Sequence, residues 1–361
     1  MIKNSSLIAF CLLALCLNPL AYAGNPDRQG EAGAYELLIN PWARSAGLNG
    51  LITARTTGVE ALFFNPAGLA RSRTSTEIMV SHSRYLVGTG MSISTAGMSQ
   101  RLSENGTLGI SLMSMNFGEI PLTTTNQPEG LATFKPRFFN LGISYGHIFR
   151  DPETKREKVA VGATVRFVSE SIANASASAV AFDAGVQYYA GKNNEVKFGI
   201  ALRNFGSKMQ YKGEGLSYIG KAPNRTTSST IQQRTTAAEL PTNLNLGASY
   251  DILIGADSLG NSAQRLTVMA NFTAHSFSRD QIGLGFEYAF KEMFMFRAGY
   301  KYESKMYNNT VNGSASTGFT MGATVETPLS KGSQRRIGFD YAYEATRIFK
   351  GTHWMGIKMS L

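Results

Sequence analysis

The chain has 361 residues, 43% of them hydrophobic and 17% charged, with a formal charge of +10 and a mean hydropathy of −0.12. That length suits two soluble domains or one large β-structure, and the hydropathy excludes a bundle of membrane helices. A basic balance fits nucleic acid, anionic lipid or an acidic partner, and an export signal at the amino end argues against nucleic acid.

Residues 1–23 read as a secretory signal. Lys3 is its charged end, Leu7 to Leu17 its apolar run, and Ala21-Tyr22-Ala23 an A-x-A cleavage site that sets the mature start at Gly24. A lipoprotein site at Cys16 is disfavoured by the bulk of Leu15 before it. Cys11 and Cys16 both fall in the signal, so the mature chain is expected to have no disulfide, thiol chemistry or cofactor. A closed barrel would supply the missing stability, because each strand is hydrogen-bonded on both sides.

Residues 24–75 show no convincing strand. Tyr35 to Ile39 and Gly58 to Phe64 are short apolar pieces among Gly, Ala and Asn. Leu37, Leu38, Trp42, Phe63 and Phe64 are too apolar for a solvated linker, so a plug or hatch inside a barrel is predicted. The segment ends on Asn65-Pro66-Ala67-Gly68. Pro66 presets its own φ and pushes Asn65 out of the helical region, and Gly68 allows a positive φ. Gly58 to Phe64 reads as a helical turn or two stopped at Asn65.

Fourteen strands are predicted over 76–361, near 76–86, 90–102, 106–117, 136–149, 157–170, 178–190, 195–206, 240–252, 264–275, 279–290, 293–303, 315–327, 334–345 and 352–361. Most have the length a tilted membrane strand needs, roughly 9–11 residues or more. Their period is two. In 279–290, Ile282, Leu284, Phe286, Tyr288 and Phe290 share one face and Gly283, Gly285, Glu287 and Ala289 the other. A soluble sandwich alternates too, but there the polar face carries many Lys and Glu. Here that face is rich in Gly, Ala, Ser and Asn, as suits a filled lumen. Aromatic pairs at strand ends, such as Tyr188 with Tyr189 and Tyr341 with Tyr343, fit interfacial girdles. The prediction is an all-β fold, a 14-stranded antiparallel transmembrane β-barrel with an N-terminal plug.

With both barrel ends in the periplasm, the two longest connections, 118–135 and 207–239, fall outside the cell. The second holds Lys208, Tyr211, Lys212, Tyr218, Lys221, Arg225 and Arg234. It reads equally as a grip for a partner or lipid phosphates and as a solvated loop. Arg166, Asp183, Lys197, Arg203, Asp251, Glu287, Arg297, Lys301, Asp340 and Lys358 are predicted inward. Their mixed signs point to a salt-bridged wall rather than an ion path.

Nothing in the chain asks for catalysis. His82, His147, His275 and His353 sit in different hairpins, without metal-ligand spacing. Gly142-Ile-Ser144-Tyr-Gly146 matches G-x-S-x-G, but Ser144 falls mid-strand, where no nucleophile elbow forms.

Pro41-Trp42-Ala43-Arg44-Ser45-Ala46-Gly47-Leu48, followed by Gly58 to Ala70, resembles the N-terminal signature of the PorV/PorQ family, within the wider group of outer-membrane proteins similar to FadL. Asn49-Gly50 stands where that family usually has Gly-Gly, and the match covers only this stretch. The resemblance implies a monomeric outer-membrane barrel within a larger complex of the type IX secretion system of Bacteroidetes. It would dock the C-terminal domain of secreted cargo, or a translocon partner, on its extracellular loops. A FadL-like transporter of hydrophobic small molecules shares the Asn65 to Gly68 motif, so the motif does not separate those two, and a purely structural family member associated with gliding or surface-protein complexes is a third reading.

Overall fold

The structure is a computed structural model that describes residues 24–72, 74–151, 153, 156–221, 226–255, 262–308, 314–330, 333 and 335–361. The expected signal with its two cysteines, and Arg225, lie outside the described residues.

Alternation along the chain becomes a cylinder. The barrel strands are β1 (Thr76–Arg84), β2 (Ser92–Arg101), β3 (Gly106–Asn116), β6 (Arg137–Arg150), β7 (Glu157–Ile172), β8 (Ala175–Ala190) and β9 (Val196–Gly206). They continue as β12 (Asn243–Ile254), β13 (Gln264–His275), β14 (Gln281–Phe290), β15 (Phe294–Glu303), β16 (Ser316–Pro328), β17 (Arg336–Thr346) and β18 (Thr352–Ser360). Each pairs antiparallel with its barrel neighbours, and β1 closes on β18 with Glu77 opposite Ser360 and Arg84 opposite His353. The result is a closed 14-stranded antiparallel barrel of the outer-membrane type.

Two strand pairs lie outside the barrel. β4 (Ile120–Thr124) with β5 (Gln127–Phe134), and β10 (Ser217–Lys221) with β11 (Ser228–Gln232), form separate two-stranded hairpins. They correct the sequence reading of 118–135 and 207–239 as plain loops. Both are exposed on nearly every residue, so no buried face imposes the apolar alternation by which the barrel strands were found. Both stand at the end opposite Thr76 and Leu361, and by the rule that long connections face outward this is the extracellular end.

The faces are inverted relative to a soluble sheet. Ile282, Leu284 and Phe286 of β14 point out at 47–51% exposure, and Glu287 points in at 1%. Outward apolar rows of this kind are the lipid-facing surface. Tyr188 joins that surface, but Tyr189 turns inward beneath the Arg71 guanidinium, 3.6 Å from the ring centroid. Period two forbids adjacent residues from sharing a girdle.

The inner face holds residues 24–72. Short helical turns, Tyr35–Leu38, Ala43–Ala46, Gly58–Glu60, Ala61–Phe64 and Pro66–Arg71, carry Trp42, Val59, Leu62, Phe63 and Leu69 into one apolar cluster with Met79, Ile93, Met113, Phe138 and Val168 of the wall. Trp42 and Phe63 meet edge to face, 5.7 Å apart. Each such side chain contributes roughly 1.5–3 kcal/mol of burial, an upper estimate against a compact unfolded chain.

Candidate functional site

Room for this luminal segment comes from missing side chains. Eleven of the fourteen barrel strands turn a glycine directly onto it. At Gly185 a Cβ would stand 2.0 Å from Asn65 Oδ1, and at Gly162 it would stand 2.3 Å from the Pro66 carbonyl. No side chain fits at either place.

The Asn-Pro-Ala-Gly turn sits against these glycines. Asn65 is extended, at φ −151°, and Pro66 opens the following 3-10 turn. Asn65 Nδ2 points at the carbonyls of Thr53 (3.0 Å), Val186 of β8 (3.1 Å) and Ile200 of β9 (3.3 Å), and its Oδ1 accepts from Ala67 N at 3.2 Å. Asn65 and Ala67 are fully buried. Gly68 corrects the sequence reading. It lies inside the 3-10 turn without a positive φ, and is small because a Cβ would fall 2.0 Å from the Thr56 carbonyl. Arg71 ends the segment, donating to the carbonyls of Glu157 (3.2 Å) and Lys158 (3.1 Å) at the periplasmic end of β7.

Charge forms a second lock. The Glu287 carboxylate of β14 meets Arg55 (2.8 Å) and Arg44 (3.5 Å) of the luminal segment, and Arg265 (2.9 Å) and Arg297 (2.6 Å) of the wall. Arg166 pairs with Asp183 at 2.7 Å, Lys197 with Asp251, and Lys358 with Glu77 at 3.1 Å. Most of the inward charges therefore pair across the wall or with the segment, while Arg203 and Lys301 are in no ion pair among the described residues. Arg44, Arg55 and Arg265 were not singled out from sequence. The signal was present in two arginines within a segment otherwise too apolar for solvent, since such cations need carboxylates facing them.

Among the described residues a cavity lies on each side of the segment. The periplasmic one, about 920 Å³, is lined by seven cations and seven carboxylates, including the Glu287 cluster. The extracellular one, about 540 Å³, is two-sided. Leu38, Ile39, Phe64, Met91 and Phe117 supply apolar surface, and Asn243, Asn271, His275, Lys301 and Arg203 supply polar surface. Arg203 turns inward by plain alternation, and a bulge sets Asn204 inward beside it. Asn204 takes φ 60° with its N–H on Asp183 Oδ1 at 2.8 Å, so Arg203 and Asn204 both face the lumen. Arg203 is 8% exposed, its Nη2 reaches the Leu37 carbonyl at 3.4 Å, and its Nε has no partner among the described residues. Glu36 faces Glu170 at this cavity's rim, and burial, reinforced by that second carboxylate, pushes its carboxyl up to about 7.

The loop residues separate. Tyr211 turns in to donate to Glu170 and packs on the apolar cluster, and the Lys212 backbone pairs with Ser176. Lys208 meets Glu239 at 3.3 Å, and Tyr218, Lys221 and Arg234 are exposed. Ser144 lies mid-strand in β6, sharing a hydrogen bond with Thr164 at 2.7 Å.

No protein-family model matches the chain. No curated protein matches it either. Solved structures do. The toluene transporter TodX of Pseudomonas putida aligns at TM-score 0.54 and 13% identity, over 89% of this chain and 97% of that one. The fold is that of the hydrocarbon-transport barrels. The toluene transporter TbuX of Ralstonia pickettii (TM-score 0.52, 11% identity, 90% and 99% covered) and a FadL homologue of Pseudomonas aeruginosa (0.52, 13%, 89% and 98%) agree. These neighbours are transport proteins of the outer membrane rather than enzymes, and at such identities the likeness establishes fold and not substrate.

Proposed function

We propose that the protein is a non-enzymatic, FadL-like outer-membrane transporter for hydrophobic small molecules that carry one polar or acidic group. The observation that carries this reading is the extracellular cavity, where an apolar wall faces the buried Arg203 guanidinium with its unpartnered Nε. Its volume is within the ~300–1,000 Å³ of small-molecule sites. An apolar tail against Leu38, Ile39 and Phe117 with an oxygen on Arg203 satisfies both sides. The barrel neighbours, described as toluene transporters and monoaromatic hydrocarbon channels, support the transport class. The test is binding of a fluorescent medium-chain carboxylic acid to the detergent-purified protein. Binding that weakens severalfold for the methyl ester and for Arg203→Gln is expected, and no saturable binding of acid or ester refutes it.

A second reading, docking of secreted cargo or a translocon chain, rests on the PorV/PorQ resemblance and is supported by the exposed hairpins Ile120–Phe134 and Ser217–Gln232. A gentle-detergent pull-down that recovers secreted proteins sharing a C-terminal domain would favour it over transport.

A further inference from the structure

The lipid-facing surface is uneven around the barrel. On β14 every outward residue, Ile282, Leu284, Phe286, Tyr288 and Phe290, is apolar or aromatic from end to end. On β1 only Ile78 and Val80 are apolar, and the extracellular half of the same face is His82 and Arg84. β1 rises roughly 20–24 Å for a strand tilted 35–45°, so Arg84 lies at the outer edge of a ~25 Å apolar band.

The neighbouring strands continue the polar patch. Ser94 and Ser92 of β2 stand opposite His82 and Arg84, and His82 Nδ1 meets Ser94 Oγ at 3.0 Å. His353 of β18 stands opposite Arg84 and meets Tyr341 Oη of β17 at 2.7 Å. Above them Lys350 is exposed, its backbone bonded to Val87. Among the described residues Arg84 and Lys350 have no ion pair, and the outward faces of β17, β18, β1 and β2 carry no carboxylate.

A bare guanidinium facing acyl chains is costly unless an anion meets it at the interface. We propose that this patch is a binding site for a phosphorylated glycolipid of the outer leaflet, with its phosphate on Arg84 and Lys350. The patch is cationic, lies at headgroup level and sits above Ile78 and Val80, which receive the acyl chains. Histidine and serine add donors for sugar or phosphate oxygens. The site is independent of the lumen and of the transport reading, so either can fail alone.

The experiment is native mass spectrometry of the whole mature barrel in neutral detergent, with diphosphoryl lipid A, the dephosphorylated lipid and phosphatidylglycerol as separate probes. Wild type should retain diphosphoryl lipid A in preference to the other two. Arg84→Gln should weaken retention about fivefold, from ~1 kcal/mol per surface cation, and R84Q/K350Q further. Arg84→Lys should keep most of it. Heat-modifiable mobility confirms that each variant is folded. Unchanged retention in R84Q/K350Q overturns the proposal. So does phosphatidylglycerol binding as tightly as lipid A, or a partner protein crosslinking to position 84 in place of lipid.

Discussion

Replacing Asn65 with alanine should free the luminal segment and leave the barrel standing. The amide has two N–H groups shared among three carbonyls, and one oxygen accepting from Ala67, so at most three hydrogen bonds of ordinary strength are lost. At roughly 0.5–1.5 kcal/mol each, this removes about 3 kcal/mol from the attachment of residues 53–71. The carbonyls of Val186 and Ile200 keep their ladder partners in β7, β8, β9 and β12, so the wall is nearly untouched. Hydrogen exchange with mass analysis reads the difference. Amides in 53–71 should exchange on the order of 10²-fold faster than in wild type, while those of β7 and β8 stay protected. Asn65→Asp keeps the acceptor for Ala67 N but sets a buried carboxylate oxygen against three carbonyls, so it should exchange at least as fast as Asn65→Ala. Equal acceleration in segment and wall, or none in either, would refute the idea that Asn65 joins two separately stable parts.

Glu287→Gln leaves four arginines without their shared carboxylate, and breaking a buried pair costs about 3–5 kcal/mol. Trypsin should then cut at Arg44 or Arg55 in the folded barrel, and continued protection of both sites counts against the lock. Glu36 gives a pH dependence. A carboxyl held near 7 in the fold favours the folded state while protonated, so its contribution is complete below about 4.5 and is lost as pH rises through about 7. The attachment of residues 34–40 should weaken by up to about 3 kcal/mol between pH 4.5 and pH 8, read as faster amide exchange after correction for the intrinsic rate, and Glu36→Gln should flatten that profile. Epitope tags within 120–134 and 217–232 should be cleaved by protease added to intact cells, and resistance of both would reverse the assigned orientation.

The barrel was legible in the sequence because every wall strand faces lipid on one side and a crowded lumen on the other. That double constraint writes a period of two into residues such as Ile282 to Phe290, and all fourteen strands are recoverable from it. The luminal segment has no period, since its turns contact wall on several sides, so only its apolar content and its Asn-Pro turn were visible. Gly68 was read for its backbone freedom when the cause is Thr56 in space, information that local sequence does not contain. The two hairpins obey neither rule because nothing covers them. The four-arginine cluster on Glu287 needed the register of β13, β14 and β15 together with the path of the segment.

The route of the luminal segment limits the order of assembly. Asn25 donates to the His275 carbonyl at the extracellular rim, and Ser72 accepts from Arg101 at the periplasmic rim, so the chain runs the full height of the cylinder. A finished ring with this interior could not be threaded afterwards through a bore already lined by wall glycines and arginines. The wall must instead wrap the segment, as a stave vessel is raised around a former. The β1–β18 seam, which joins strands about as far apart in sequence as the barrel allows, then closes last. Changes that loosen the former should therefore slow or misdirect closure even where the finished cylinder would tolerate them, and the refolding rate would reveal what equilibrium stability conceals.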